Sequence, residues 1–582
     1  MIAASVRRRA VRWLLAVLLA AGASRPALAV VDTGFDASGL PFVACNGRVG
    51  FRVWETAQGS TDLNGDGDAS DFVLHVLDLS TGFVTNVGVD ASGPLACAGD
   101  VFAFGVRESA QNNLDRNGDG DAFDVVLATW NAATATLTNI GLAVNAIVAS
   151  PSLVAFTVGE SSQGGTELNG DSDILDSVLH VLDPATLAVT NLGLEAGDAS
   201  HIVVDGRRVA FFLSEDAQGH TDFNGDGDPI DTVALIYDAT GVPTLINPHR
   251  AVAAELGIQM DSAAAAFVVS EAAQGNVSSN GDLDALDALM AIYCFPGSPC
   301  PVAGLHDLGV DAGGGFTLGG DLLAFRTRER SQGGTSLNPP DTDGRDTVVQ
   351  YYRLSTGVMK STKLAGQARV RIVGNVLAFG VPERLQAHQL LNPDLDFRDV
   401  VLALFDTVTE TATNTGHALW TKSCRREATQ ATPKGPCLAT AADTILFAAG
   451  EKEQNHTDMN GDTDAHDAVI QAWKISTGTF TNTALAGEHK GALVDGDTLA
   501  AFRVNEADQR QDKNGDGDLG DRVVTVYDTT TGVTTGLGQA ADPPILIEGR
   551  SVIFRTHELE QNADLNGDGD KNDAVLQYQT FP

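Results

Sequence analysis

The chain has 582 residues, a formal net charge of −39 and 43% hydrophobic residues. An acidic excess of that size argues against nucleic acid and anionic membrane surfaces as partners, since both are polyanions. The hydrophobic fraction is that of a globular protein, so a large core can form despite the charge.

The first element is the leader "VRRRAVRWLLAVLLAAGASRPALAVVD". Arg7, Arg8, Arg9 and Arg12 precede the apolar run Trp13–Ala21, and Ala27-Leu28-Ala29 offers a cleavage site before Val30. This layout predicts a secretory signal peptide over 1–29, and the apolar run is too short to span a bilayer. Its removal takes five arginines and no acid, moving the formal charge from −39 to −44. No later run reads as a membrane span, so the mature chain, 30–582, is expected to be secreted (periplasmic, cell-surface or extracellular). The six cysteines fall as Cys45/Cys97, Cys294/Cys300 and Cys424/Cys437, and neighbour pairing into disulfides is the simplest connectivity for an exported chain.

From there the sequence repeats. Ten phenylalanines (Phe51, Phe104, Phe156, Phe211, Phe267, Phe325, Phe379, Phe447, Phe502, Phe554) are each followed four residues later by Glu and three after that by Gln. Nine intervals cover 503 residues, a mean period of about 56. Within a unit "GRRVAFFLSE" (206–215), "DSVLHVLD" (176–183), "PATLAVTNLG" (184–193) and "HIVVD" (201–205) alternate apolar and polar residues, with turn residues between. Four short strands per unit and no helical period predict an all-β chain, a β-propeller of ten four-stranded repeats. The hairpin "VLHVLDLSTGFVTNVG" (73–88) resembles the outer hairpin of TolB-like and WD-type propeller blades. The tenth repeat ends at "AVLQYQTFP", one strand short, and the mature start "VVDTGFDASG" resembles the missing strand. A single ten-bladed ring closed by the N-terminus is therefore expected, a size for which the sortilin family is a precedent. Two five-bladed rings meeting near "CFPGSPCPVAGLHDLG" (294–309) are the rival.

Between the second and third strands each repeat carries an acidic loop such as "TDLNGDGDASD" (61–71). Acids at alternate positions let a turning backbone aim successive oxygens inward, and glycines permit the turn. Oxygen-only ligands suit a hard cation, and Ca²⁺, which takes 6–8 of them flexibly, fits better than Mg²⁺. The string "DLNGDG" resembles the calcium loops of integrin-type FG-GAP propellers, dockerins and thrombospondin type 3 repeats. The closing acid lies one position later than in FG-GAP loops, and the twelfth position, where an EF-hand needs an acid, is Val73.

The candidate ligands are Asp62, Asn64, Asp66, Asp68 and Asp71 in repeat one and Asp115, Asn117, Asp119, Asp121 and Asp124 in repeat two. Repeats three and four offer Glu167, Asn169, Asp171, Asp173, Asp176 and Asp222, Asn224, Asp226, Asp228, Asp231. Repeats eight to ten offer Asp458, Asn460, Asp462, Asp464, Asp467; Asp512, Asn514, Asp516, Asp518, Asp521; and Asp564, Asn566, Asp568, Asp570, Asp573. Ser278, Ser336 and Leu390 stand at the first position in repeats five, six and seven, where weak or empty sites are expected. About seven full Ca²⁺ sites, and up to ten in all, follow. The repeated Glu is either a further ligand or a clamp on loop backbone.

The leading functional expectation is a non-catalytic binding or adhesion scaffold with a protein or glycan partner. The alternatives are a secreted propeller hydrolase or lyase, and a structural envelope or matrix protein. No HExxH, GxSxG or Walker motif occurs. An insertion over 415–437, between repeats seven and eight, places Trp420, Lys422, Arg425 and Arg426 in an acidic chain. It reads as a disulfide-tied surface loop or as a ligand contact.

Overall fold

The computed structural model describes residues 29–420, 438–488 and 493–582. Repeat one shows the plan: strands Gly39–Cys45, Arg48–Trp54, Phe72–Asp78 and Val84–Asp90 pair antiparallel in that order. The two middle strands are buried on both faces, and so they read as near-continuous apolar runs rather than as a clean alternation. All ten repeat phenylalanines are at most 1% exposed. Phe51 packs with Ile553 and Leu576 of the last repeat, and Phe104 with Leu74 and Val76 of repeat one. Each therefore wedges one repeat against the repeat before it, a burial worth about 2–3 kcal/mol.

The architecture is all-β and propeller-like, but the expected count of ten blades is corrected to nine. Eight sheets have four strands, and the ninth has six. The cause is one 16-residue strand, Val533–Glu548. Its first half pairs with Arg522–Asp528 of repeat nine, and its second half pairs with Ser551–His557 of repeat ten. Elsewhere the outer strand of one repeat and the inner strand of the next are separate elements. Here the chain stays extended through Ala540, Ala541 and Asp542, fusing repeats nine and ten into one sheet. Neither a ring of ten separate blades nor two five-bladed rings is formed. Inner strands of successive sheets lie side by side, and Gly39–Cys45 meets Val533–Glu548 to close one ring. The N-terminal strand Val31–Asp36 pairs antiparallel with Ala574–Thr580 as the last strand of the six-stranded sheet.

Cys45–Cys97 joins the inner strands of repeats one and two, and Cys294–Cys300 closes a short loop. Cys424, Cys437, Lys422, Arg425, Arg426 and all of the leader but Ala29 lie outside the described residues. Trp420 is buried in an apolar cluster with Ala439, Leu446 and Ile470. Among the described residues no helix is long and apolar enough to cross a membrane. On the inner wall a cavity of about 450 Å³ is lined by Phe42, Leu95, Ile147, Leu546 and neighbouring apolar residues.

Candidate metal centre in the acidic loops

After the second strand of repeat one, Glu55 enters a 3₁₀ turn, Thr56–Gln58, and the acidic loop follows. Glu55 is fully buried. Its Oε1 accepts the N–H groups of Leu63 and Asn64, and its Oε2 accepts that of Asp71 at 3.1 Å. One carboxylate thus ties the start of the loop to its end. The same clamp recurs in the other repeats, for instance Glu215 on Phe223, Asn224 and Asp231, and Glu451 on Met459, Asn460 and Asp467, except that in repeat seven only the Oε1 half, from Glu383 to Leu391 and Asn392, has normal hydrogen-bond geometry.

Inside the loop, short acidic side chains hold the turn by accepting from backbone just ahead of them. Asn64 Oδ1 takes Asp66 N at 3.2 Å, Asp66 Oδ1 takes Asp68 N at 3.1 Å, and Asp68 Oδ1 takes Ser70 N at 3.0 Å. Gly65 and Gly67 have φ of 79° and 102°, the left-handed region that glycine enters without strain. Asp62 spends both oxygens on these glycines, Oδ1 on Gly65 N at 2.6 Å and Oδ2 on Gly67 N at 3.1 Å. Asp115, Asp222, Asp512 and Asp564 do the same, Asp458 binds Gly461 and Thr463, and Glu167 binds Gly170.

The acids that converge are the later ones and the clamp. Single oxygens of Glu55, Asp68 and Asp71 lie within 4.8 Å of one another, as do those of Glu108, Asp121 and Asp124 and of Glu160, Asp173 and Asp176. Asp226, Asp228 and Asp231 form the corresponding group in repeat four. The first-position acids are absent from these groups, whereas the clamp Glu belongs to three of them. Repeat seven, whose first position is Leu390, brings together Glu383, Asp394, Asp396 and Asp399. Leu390 at the first position marked this loop as weak or empty in the sequence, whereas its Asp-x-Asp-x-x-Asp spacing over 394–399 is intact.

The closing acid of all ten loops is pushed upward. Burial first, then Asp66, raises Asp71 to about 7 against the hydrogen bond from Asn64. Asp399 rises to about 8 through burial and Asp394, and Asp521 to about 6 through burial with Asp516 and Asp518. Carboxylates crowded in a partly buried loop favour the neutral form unless a positive charge joins them.

Each loop also reaches its neighbour. Asn64 Nδ2 donates to Asp71 Oδ2 at 3.0 Å and to Ala110 O of repeat two at 3.1 Å. The repeated Gln works in the other direction: Gln111 Oε1 accepts Asp90 N at 2.8 Å, from the outer strand of repeat one. All ten Gln residues make this bond, over 2.6–3.2 Å. His75 and His180, which share a strand position, are buried with a ring nitrogen near the carbonyls of Val73 and Val178.

Fold and loops together define a class: a β-propeller with an oxygen-rich acidic loop at every repeat. No family model matches the sequence, and no curated protein matches it. Among solved structures, the chain is similar to the β-propeller domain of the Trilobed protease from Pyrococcus furiosus (11% identity, 78% of this chain and 98% of that one, TM-score 0.29). It is also similar to puromycin hydrolase (13% identity, 80% and 58% covered, TM-score 0.29) and to the tricorn protease (9% identity, 88% and 46% covered, TM-score 0.28). The chain thus spans less than half of the tricorn protease.

Proposed function

We propose that the acidic loops bind Ca²⁺ and that the protein is an exported, calcium-stabilised propeller acting as a non-catalytic binding or adhesion scaffold for a protein or glycan. The observation that carries this reading is the recurring group of oxygen donors within 4.8 Å of one another, closed by an acid that burial and its acidic neighbours raise to about 7 in repeats one and three. In repeat one Glu55, Asp68 and Asp71 would hold the ion, with Asp66 alongside. The donor set is all oxygen, as a hard cation requires. An ion there neutralises charge where each loop touches the next repeat, so it stiffens the interface as well as the turn.

The scaffold reading is supported by the apolar cavity on the inner wall, a surface suited to taking an apolar group of a partner. The test is thermal unfolding of residues 30–582 across a calcium titration, with magnesium as control and bound ions counted by native mass spectrometry. A calcium-specific rise in Tm with about seven ions bound is expected, each site adding about 2.7 kcal/mol at 100 times its Kd. A Tm indifferent to calcium, with no ions retained, overturns the reading.

A further inference from the structure

Repeat seven departs furthest from the loop consensus, yet it gathers the largest of the carboxylate groups described above. Glu383, Asp394, Asp396 and Asp399 each place an oxygen within 4.8 Å of the others, four acids against three in each of repeats one to four. Two features point to a ligand rather than to a solvated acidic turn. Asn392 is 7% exposed, and its Oδ1 has no hydrogen-bond partner. In repeat one the equivalent oxygen of Asn64 takes the N–H of Asp66. The other half of the Asn392 amide is fully engaged, Nδ2 donating to Asp399 Oδ2 and to Glu453 O, both at 2.9 Å. The side chain is therefore fixed with its carbonyl oxygen buried and without a hydrogen-bond partner. Glu383, fully buried, takes Leu391 N and Asn392 N on Oε1, while Asp399 N faces it outside the normal hydrogen-bond geometry that Asp71 N has on Glu55 Oε2. A buried oxygen without a donor costs about 1–3 kcal/mol, which a cation would offset.

The missing first acid does not remove a member of this cluster. In repeat one Asp62 serves the N–H groups of Gly65 and Gly67. The position of Gly65 is occupied in repeat seven by Pro393, which has no N–H to satisfy and whose ring fixes φ. Leu390 and Pro393 thus change together: the acceptor is lost with one of its two donors, the other N–H falls on the exposed residue Leu395, and the Asp-x-Asp-x-x-Asp spacing survives. Asp394 Oδ1 still takes Asp396 N at 3.1 Å, and Asp396 Oδ1 still takes Arg398 N at 2.7 Å, so one oxygen of each acid remains for a ligand.

We propose that repeat seven is a hard divalent-cation site in its own right, with Glu383, Asn392 Oδ1, Asp394, Asp396 and Asp399 as its donors. The inference rests on the calcium reading of the loops but assigns an ion to a repeat where the sequence predicts a weak or empty site.

The experiment counts calcium ions on residues 30–582 by native mass spectrometry. It compares the parent with Asp394→Asn/Asp396→Asn and with Asp66→Asn/Asp68→Asn in repeat one. Both pairs are partly exposed, and circular dichroism of the ion-free proteins verifies folding. One ion fewer in each variant is the expected result. A parent count unchanged by Asp394→Asn/Asp396→Asn, while Asp66→Asn/Asp68→Asn loses one, overturns the repeat-seven site and leaves the wider reading standing. A parent that holds no calcium overturns both. Should the double variant misfold, Asp396→Asn alone is read the same way, since Asp396 is exposed.

Discussion

The junction between repeats one and two and the junction between repeats ten and one differ in their covalent links: only the first is crossed by continuous chain and by a disulfide, Cys45–Cys97. At the ordinary junction, Asn64 Nδ2 reaches Ala110 O, Gln111 Oε1 takes Asp90 N, and Asp90 Oδ2 takes Arg107 N. At the seam, Asn566 Nδ2 reaches Ala57 O at 2.7 Å, Gln58 Oε1 takes Asp36 N at 2.8 Å, and Asp36 Oδ2 takes Trp54 N at 3.0 Å. The electrostatics match as well, since Asp90 helps to raise Asp71 and Asp36 helps to raise Asp573. The N-terminal strand occupies the place of an outer strand and is gripped by the same side chains. The interface is thus written into side chains that recur with the repeat, and chain connectivity adds little to it.

The largest effect that can break this equivalence is deletion of residues 30–36. It bares the edge of Ala574–Thr580 and leaves Gln58 without Asp36 N and Gly34 O. A loss on the order of 3–5 kcal/mol is expected by denaturant unfolding, with self-association through the open edge on sizing chromatography. An unchanged midpoint would show the seam to be ornamental.

Acid dependence follows, because it sums over all ten closing acids. Their folded pKa values, about 6 to about 8, lie above the ordinary 3.8, so the ion-free folded protein binds more protons than the unfolded chain between roughly pH 4 and pH 7. Stability of ion-stripped protein should therefore fall as pH rises through that window, and saturating calcium should flatten the slope. Melting curves from pH 4 to 8 with and without calcium test this; a slope of opposite sign in the ion-free protein defeats it.

Smaller effects sharpen the comparison site by site. Glu558→Gln at the seam and Glu108→Gln at an ordinary junction each remove an acceptor from a largely part-buried N–H pair, and each should cost about 1–3 kcal/mol. Gln58→Ala and Gln111→Ala should cost less, about 1 kcal/mol apiece, and equally. A seam variant consistently milder than its partner would mean that the N-terminal strand is held less firmly than its hydrogen bonds imply.

Much of this was legible in the sequence because it depends on spacing. The Phe, Glu and Gln positions marked every second strand, every loop clamp and the Gln bond between repeats. The blade count depends instead on whether the backbone breaks between repeats, and "GQAADPPILIE" gives the wrong cue. Pro543 and Pro544 read as strand breakers, yet they sit within Val533–Glu548 where its register is irregular. Which acids of a loop converge was hidden for a similar reason. Asp62 and Asp68 look alike in the motif, and only the direction of the turn sends the first to the glycine N–H groups and the second toward Glu55.

One consequence follows from Val30 packing beside Phe581 in the same apolar cluster. The order of repeats around the molecule is cyclic although the chain is linear, and the two ends of the described ring are already neighbours. A short linker from Pro582 to Val30, with new ends opened at the exposed turn over 80–83, would preserve every inter-repeat bond. The ring should accept circular permutation at hairpins all round its rim, with the cut site chosen by convenience rather than by fold.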